Sequence, residues 1–330
     1  MVHVQRVYYP LLAVIGIPSN IMTFFIFWRR NCMISRSSTF YLMAMAVADT
    51  AVLLFIVVLE LTIKYHTPEP FWSQEPWCSV RDIFNYGASN ASIWLVVIFT
   101  AERFLAINTW SLKNRLCTPR CALWAIATVF VVSHLLAIPY YWAYMSVYNA
   151  ELQRWFCIYR PDASTLYVHS LVGLQTLLSH ILPFLIILIL NGLILRQISL
   201  SNRVHATPKT DSSRGQRATP LLRSRKRKSV VLLVTVSMSF VLLSVMRSVT
   251  QIIVRTIHVP DRDDYGLAIN VAADLGTMLS LSNAAINMYL YACTQAKFRQ
   301  EVIMSLKQAC SLSRACCVLQ PHPDTTPSHV

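Results

Sequence analysis

At 330 residues, 55% hydrophobic and only 13% charged, with a mean hydropathy of +0.47, the chain lies far from the composition of an ordinary soluble domain. Its net charge of +14 would suit a nucleic-acid binder. The basic residues, however, alternate with long apolar stretches, so the charge reports membrane topology and needs no nucleic acid to explain it.

Seven apolar stretches follow one another over residues 7–28, 38–61, 78–107, 121–142, 168–198, 229–257 and 267–293. Each is long enough to bridge the ~30 Å hydrocarbon core as a helix, which satisfies its own backbone hydrogen bonds. The sequence therefore predicts an all-α seven-transmembrane helix bundle over residues 7–293. Residues 1–6 form a short outer N-terminus, 199–228 a basic inner loop, and 294–330 a short amphipathic eighth helix and tail. With six residues ahead of it and an apolar run too long for a leader, the first stretch is expected to act as signal and anchor together.

Orientation follows from the basic residues. Arg29, Arg30 and Arg36 follow the first stretch, Lys113, Arg115 and Arg120 the third, and Arg223, Arg225, Lys226, Arg227 and Lys228 close the loop after the fifth. The alternate loops mix signs, with Glu69, Glu75, Asp162, Asp261, Asp263 and Asp264 offsetting Lys64, Arg160 and Arg262. The positive-inside rule then puts the N-terminus outside and the tail in the cytosol, as expected of a multi-pass plasma-membrane protein.

The third stretch runs from Cys78 to Glu102-Arg103-Phe104, and twenty-five residues from cysteine to arginine make about 37 Å of helix. Its two ends lie in different compartments. Of nine cysteines only Cys78 and Cys157 fall on the outer, oxidising side, so they are expected to form a disulfide. Past the seventh stretch, Phe298, Val302, Ile303 and Leu306 share one face of an interfacial helix, and Cys310, Cys316 and Cys317 are candidate lipidation sites beyond it.

Taken together, the marks on the seven stretches identify a resemblance to the rhodopsin-like (class A) G-protein-coupled receptors. The matching residues are Asn20, Asp49, Cys78, Glu102-Arg103-Phe104, Pro183, Phe240 and Asn287-Met288-Tyr289-Leu290-Tyr291. The resemblance implies a cell-surface receptor that binds an extracellular small ligand or short peptide and activates a heterotrimeric G protein; it implies no enzyme. Glu102 would hold Arg103 at rest, and Arg103 would meet the G protein when the sixth helix swings outward. Ile93, Pro183, Phe240 and Tyr291 would form the activation switch. A mid-bilayer aspartate needs partners, and Asn20, Ser92, Asn283 and Asn287 are the candidates for Asp49, either as a satisfied polar core or around an allosteric sodium ion. No other metal and no organic cofactor is implied.

The chain also departs from that family. Ser244-Val245-Met246 replaces Trp-x-Pro in the sixth stretch, Met288 replaces the proline of the seventh, and Asn191 stands where a tyrosine is usual. Without these prolines a hinge has to come from elsewhere. A receptor-like protein with weak or constitutive signalling is the alternative reading, and a membrane transporter a remote one.

For the ligand, Asn85 occupies the position where amine receptors carry an aspartate, and the seventh stretch has no lysine for retinal. Asn85, Ser89, Ser92, Val96, Phe99 and Arg103 form one stripe on the third helix. Arg247, with Gln251 a turn further out, is an intramembrane arginine and hence a functional candidate. Asp274 and Thr277 of the seventh stretch complete the expected ligand set; Asp274 either orients Arg247 or meets a ligand amine, and Asp274, Asn85 and Gln251 are the candidates to face the arginine. Ser92-Ile93-Trp94, Ile138-Pro139-Tyr140-Tyr141-Trp142, Arg247 and Asn283-Ala284-Ala285-Ile286-Asn287 resemble a small, largely orphan subgroup similar to receptors for aromatic amino acids.

Overall fold

The computed structural model describes all residues except 30, 31, 33, 63–65, 67–70, 109–113, 152, 207–219, 257–263 and 319–330. Of residues 198, 200–206, 220–229, 255, 256 and 309–318 the backbone alone is described. Arg30, Lys64, Glu69, Lys113, Asp261, Arg262 and Asp263 of the topology reading therefore lie outside the described residues. So do the side chains of Arg223, Arg225, Lys226, Arg227, Lys228, Cys310, Cys316 and Cys317.

Helix α1 spans Val2–Arg29, α2 Arg36–Val52 continuing as π-helix over Leu53–Thr62, and α3 Trp77–Asn108. Helix α4 covers Pro119–Leu135, followed by a 3₁₀ turn at Ile138–Trp142. Helix α5 is built from Thr165–Thr176, a π turn at Leu177–Ile181 and Leu182–Ala206. Helix α6 is Pro220–Thr256, α7 Ala268–Thr294 and α8 Ala296–Val318. Among the described residues, six of these are long and apolar enough to cross a membrane. Helix α7 has comparable length, 27 residues, but dilutes its apolar surface with Asn270, Asp274, Asn283 and Asn287.

Local sequence sets the ends. The Ser35 hydroxyl accepts from the Ser38 amide and caps α2; Thr118 does the same for Cys121 in α4, with Pro119 in the first turn where its missing N–H costs nothing. Gln295 leaves helical geometry after α7, so α8 starts in a new direction. Phe298 then buries fully against Phe27 and Tyr291, with ring centroids 5.0 and 5.7 Å away. Pro183 has no N–H to give the carbonyl of Ser179, and α5 widens into its π turn immediately before it.

Two of the segments expected outside the seven stretches carry helix. Helix α1 starts at Val2, so residues 2–6 are helical. Helices α5 and α6 extend to Ala206 and from Pro220, well inside the expected 199–228 loop; its Lys and Arg are good helix formers and helices continue past the lipid.

The bundle sets a group of polar side chains within an apolar core and is apolar outside as well. Asn20, Asp49, Asn90, Arg103, Asn191 and Asn287 are buried, whereas Val14, Trp28, Trp124, Leu166 and Leu242 are exposed. That combination suits a lipid surround, where interior polar groups bond between helices. Over one end lies an antiparallel hairpin, β1 Tyr144–Asn149 with β2 Arg154–Tyr159, pairing Ser146 with Cys157.

Candidate functional site: a polar cavity and its coupling elements

The Cys78–Cys157 disulfide joins β2 to the first turn of α3, with Cα atoms 5.5 Å apart, as its two cysteines led us to expect. The hairpin has further ties at the same end. Ser146 gives its amide to Glu75 at 3.0 Å and its hydroxyl to the Ser73 carbonyl at 2.6 Å. Burial and the neighbouring Asp82 carboxylate push the Tyr144 phenol far up, so it stays a neutral donor.

Beneath the hairpin a cavity of about 260 Å³ lies between α2, α3, α5, α6 and α7. On α3 it extends from Asp82 to Ile93, and on α6 from Gln251 down to Phe240. Eleven residues on each helix make it roughly 16 Å deep. The expected Asn85, Ser89, Arg247, Gln251 and Thr277 all line it.

Asp274, expected to orient Arg247 or to meet a ligand amine, is not among the residues that line it. Its carboxylate accepts from the Tyr265 hydroxyl at 2.9 Å. The acids that do line the cavity are Glu60 and Asp82, bridged by Asn85, whose amide reaches Glu60 at 2.5 Å and Asp82 at 3.5 Å. Asp82 also pairs with Arg81 at 3.6 Å. Both acids were legible: Asp82 is the next outward step of the Asn85–Ser89–Ser92 stripe, and Glu60 is the lone charge of an apolar run.

A second polar group holds the α5 wall. Asn90, Gln175 and Ser179 are buried and mutually bonded, at 2.5 to 3.2 Å, and Gln175 and Ser179 face the cavity. His180 faces it too and meets the Ser248 hydroxyl of α6 at 3.3 Å. Within the π turn the Leu178 carbonyl accepts from Trp94 at 3.1 Å.

At the floor are Ile93 and Phe240, and Ser92 and Asn283 beside them. Ser92 donates to Asp49 at 2.5 Å and Asn287 donates to its other oxygen at 2.6 Å. The other two candidate partners of Asp49 go elsewhere. Asn20 gives its amide to the Ala284 carbonyl at 2.7 Å, fastening α1 to α7. Asn283, one turn from Asn287, opens into the cavity instead. Pro183 is buried beyond the π turn, and Tyr291 is buried between Phe27 and Phe298.

At the far end Arg103 forks onto Glu102, and both are buried. Ser37 of α2 donates to the same carboxylate at 2.8 Å, a partner absent from the sequence reading. Such an arrangement neutralises two charges in a low-dielectric site and ties α3 to α2.

Residues 19–291 match the family described as 7 transmembrane receptor (rhodopsin family). The chain belongs to that family. It is similar to the probable G-protein coupled receptor 142 of Mus musculus, 26% identical over 93% of this chain and 74% of that protein. It also resembles the C5a anaphylatoxin chemotactic receptor 1 of Oncorhynchus mykiss, 24% identical over 91% of the chain and 80% of the relative. The apelin receptor B of Danio rerio is 23% identical over 94% and 85%. The protein is thus a multi-pass G-protein-coupled receptor for an extracellular ligand.

The receptor departs from its family at α6 and α7, and the helices respond as the sequence implies. With Met246 and Met288 in place of prolines, neither helix carries an internal proline and both are continuous over their full lengths. The irregular turns lie in α2 and α5 instead.

Proposed function

We propose that the receptor resides in the plasma membrane with its N-terminus and hairpin outside and α8 in the cytosol, and that the cavity takes a small zwitterionic ligand of the aromatic amino-acid type. The observation that carries this reading is one cavity with Arg247 on α6 and the Glu60–Asn85–Asp82 network on α2 and α3. A planar carboxylate suits the fork of an arginine, and an ammonium suits a pair of carboxylates. The predominantly basic inner segments support the orientation.

Binding at this tier would move α6 and release Arg103 from Glu102 toward a heterotrimeric G protein. Asp49 and Ser92 offer the oxygen donors a sodium ion takes, and such an ion would hold the resting bundle. Cys310, Cys316 and Cys317 would anchor the end of α8 to lipid as thioesters. The test is direct binding to the full-length receptor in lipid nanodiscs. L-phenylalanine should bind, while phenylalaninamide, which lacks the carboxylate, and N-acetylphenylalanine, which lacks the amine, should each bind at least tenfold more weakly. Equal binding of all three would overturn the zwitterion reading.

A further inference from the structure

Below the charged tier the cavity is lined by polar side chains that the protein leaves without partners. Ser89 on α3, Ser244 on α6, and Ser280 and Asn283 on α7 all face it. None makes a side-chain hydrogen bond among the described residues, although other serines and threonines of these helices bond back to carbonyls, as Thr250 does to Met246 at 2.9 Å and Ser282 to Met278 at 3.0 Å. Ser244 is 7% exposed and Asn283 8%. Ser89 and Ser280 are half-buried, and the polar groups of all four side chains open onto the cavity, where water or a ligand meets their hydrogen bonds. Four such groups from three helices, turned onto one space, form a recognition surface.

Ser244 makes that space. Arg247 is three residues above it and Phe240 four below on the same helix, and all three line the cavity. A serine at the level between charged tier and apolar floor leaves a depth that a large side chain there would fill.

We infer that this lower tier is a second subsite, with Ser244 and Asn283 as its specificity-determining residues, and that it takes an aromatic ring bearing a hydroxyl. Ile93 and Phe240 supply the apolar floor for the ring. Asn283 offers both a donor and an acceptor, and each serine hydroxyl offers either, which matches a phenolic O–H. The inference rests on the zwitterion reading for the head group and extends it to the other end of the ligand: a para-hydroxylated aromatic amino acid is preferred to its unhydroxylated counterpart.

The test uses four probes on the full-length receptor in nanodiscs, with affinity read from the shift in melting temperature against probe concentration. L-tyrosine and L-phenylalanine differ only in the hydroxyl, as do tyramine and phenethylamine, and the second pair lacks the carboxylate. The hydroxylated member of each pair should bind roughly 2- to 12-fold tighter. In Asn283→Leu that preference should vanish while the preference for tyrosine over tyramine persists. Ser244→Ala, the milder change, should reduce the hydroxyl preference without loss of folding. Equal affinity within both pairs, an unaltered hydroxyl preference in both variants, or no binding by any probe overturns the lower subsite. Equal affinity of tyrosine and tyramine with the hydroxyl preference intact overturns the carboxylate anchor at Arg247 alone and supports the subsite.

Discussion

Gly276 of α7 lies against the backbone of α6 at Arg247. A β-carbon at Gly276 would come within 2.7 Å of the Arg247 amide nitrogen, 2.9 Å of its Cα and 3.0 Å of the Met246 carbonyl carbon. All three are main-chain atoms, so no rotamer change relieves the clash and the helices have to separate. Arg247 thus owes its placement to a glycine on the neighbouring helix.

Gly276→Ala is therefore expected to destabilise the receptor by roughly 1–3 kcal/mol, the usual penalty of overpacking. A lower melting temperature of the purified receptor would register it, with weaker L-phenylalanine binding alongside. A melting temperature equal to wild type would show that α6 and α7 part freely there.

Chain-local signals made much of the molecule legible. Apolar length gave the helices, sidedness of charge and thiols gave the disulfide, and the family resemblance gave Glu102 with Arg103. What escaped were relationships between helices. Nothing local says that Asp274 turns to Tyr265 or that Asn283 opens into the cavity, since either depends on how α7 is rotated against α6. Ser37 was invisible for the same reason: sixty-five residues separate it from Glu102. The hairpin over the cavity has alternating exposure too weak to read as strands in a short loop.

Arg247→Gln keeps the size and hydrogen-bonding ability of the side chain and removes its charge. A hydrogen bond to a charged group contributes about 1.5–3 kcal/mol, so L-phenylalanine affinity should fall roughly 10- to 150-fold. Binding of phenylalaninamide, which has no carboxylate to lose, should be nearly unchanged. Arg247→Lys should fall between, retaining charge without the planar fork. Wild-type affinity for L-phenylalanine in a well-folded Arg247→Gln receptor would exclude this residue as the anchor.

Ser37 and Arg103 share the Glu102 carboxylate. Removing the serine hydroxyl weakens the resting arrangement and leaves Arg103 intact, so Ser37→Ala should raise ligand-independent nucleotide exchange several-fold. Arg103→Ala should abolish exchange while surface expression is maintained. The double variant should behave like Arg103→Ala, because the serine acts on the arginine, through Glu102 at 2.8 Å and by accepting from the guanidinium at 3.4 Å. Unchanged basal exchange in Ser37→Ala would mean that its hydroxyl does not restrain Glu102.

Asn191 binds α5 to α6 in the half of the bundle nearer Arg103. Its amide donates to the Ser237 hydroxyl at 2.8 Å and to the Ile187 carbonyl at 3.0 Å, and the Ser237 oxygen lies 3.0 Å from its carbonyl oxygen. Both side chains are buried. Helix α6 has no internal proline, so an outward swing of its lower half as one rod would separate this pair and the pair would restrain it. Asn191→Ala should increase basal nucleotide exchange several-fold with little change in ligand affinity at the cavity, whose lining does not include Asn191. A double-mutant cycle with Ser237→Ala should return a coupling of about 0.5–1.5 kcal/mol, the net worth of one buried hydrogen bond. Additive effects of the two substitutions on basal exchange would show that the contact does not hold α6 in place.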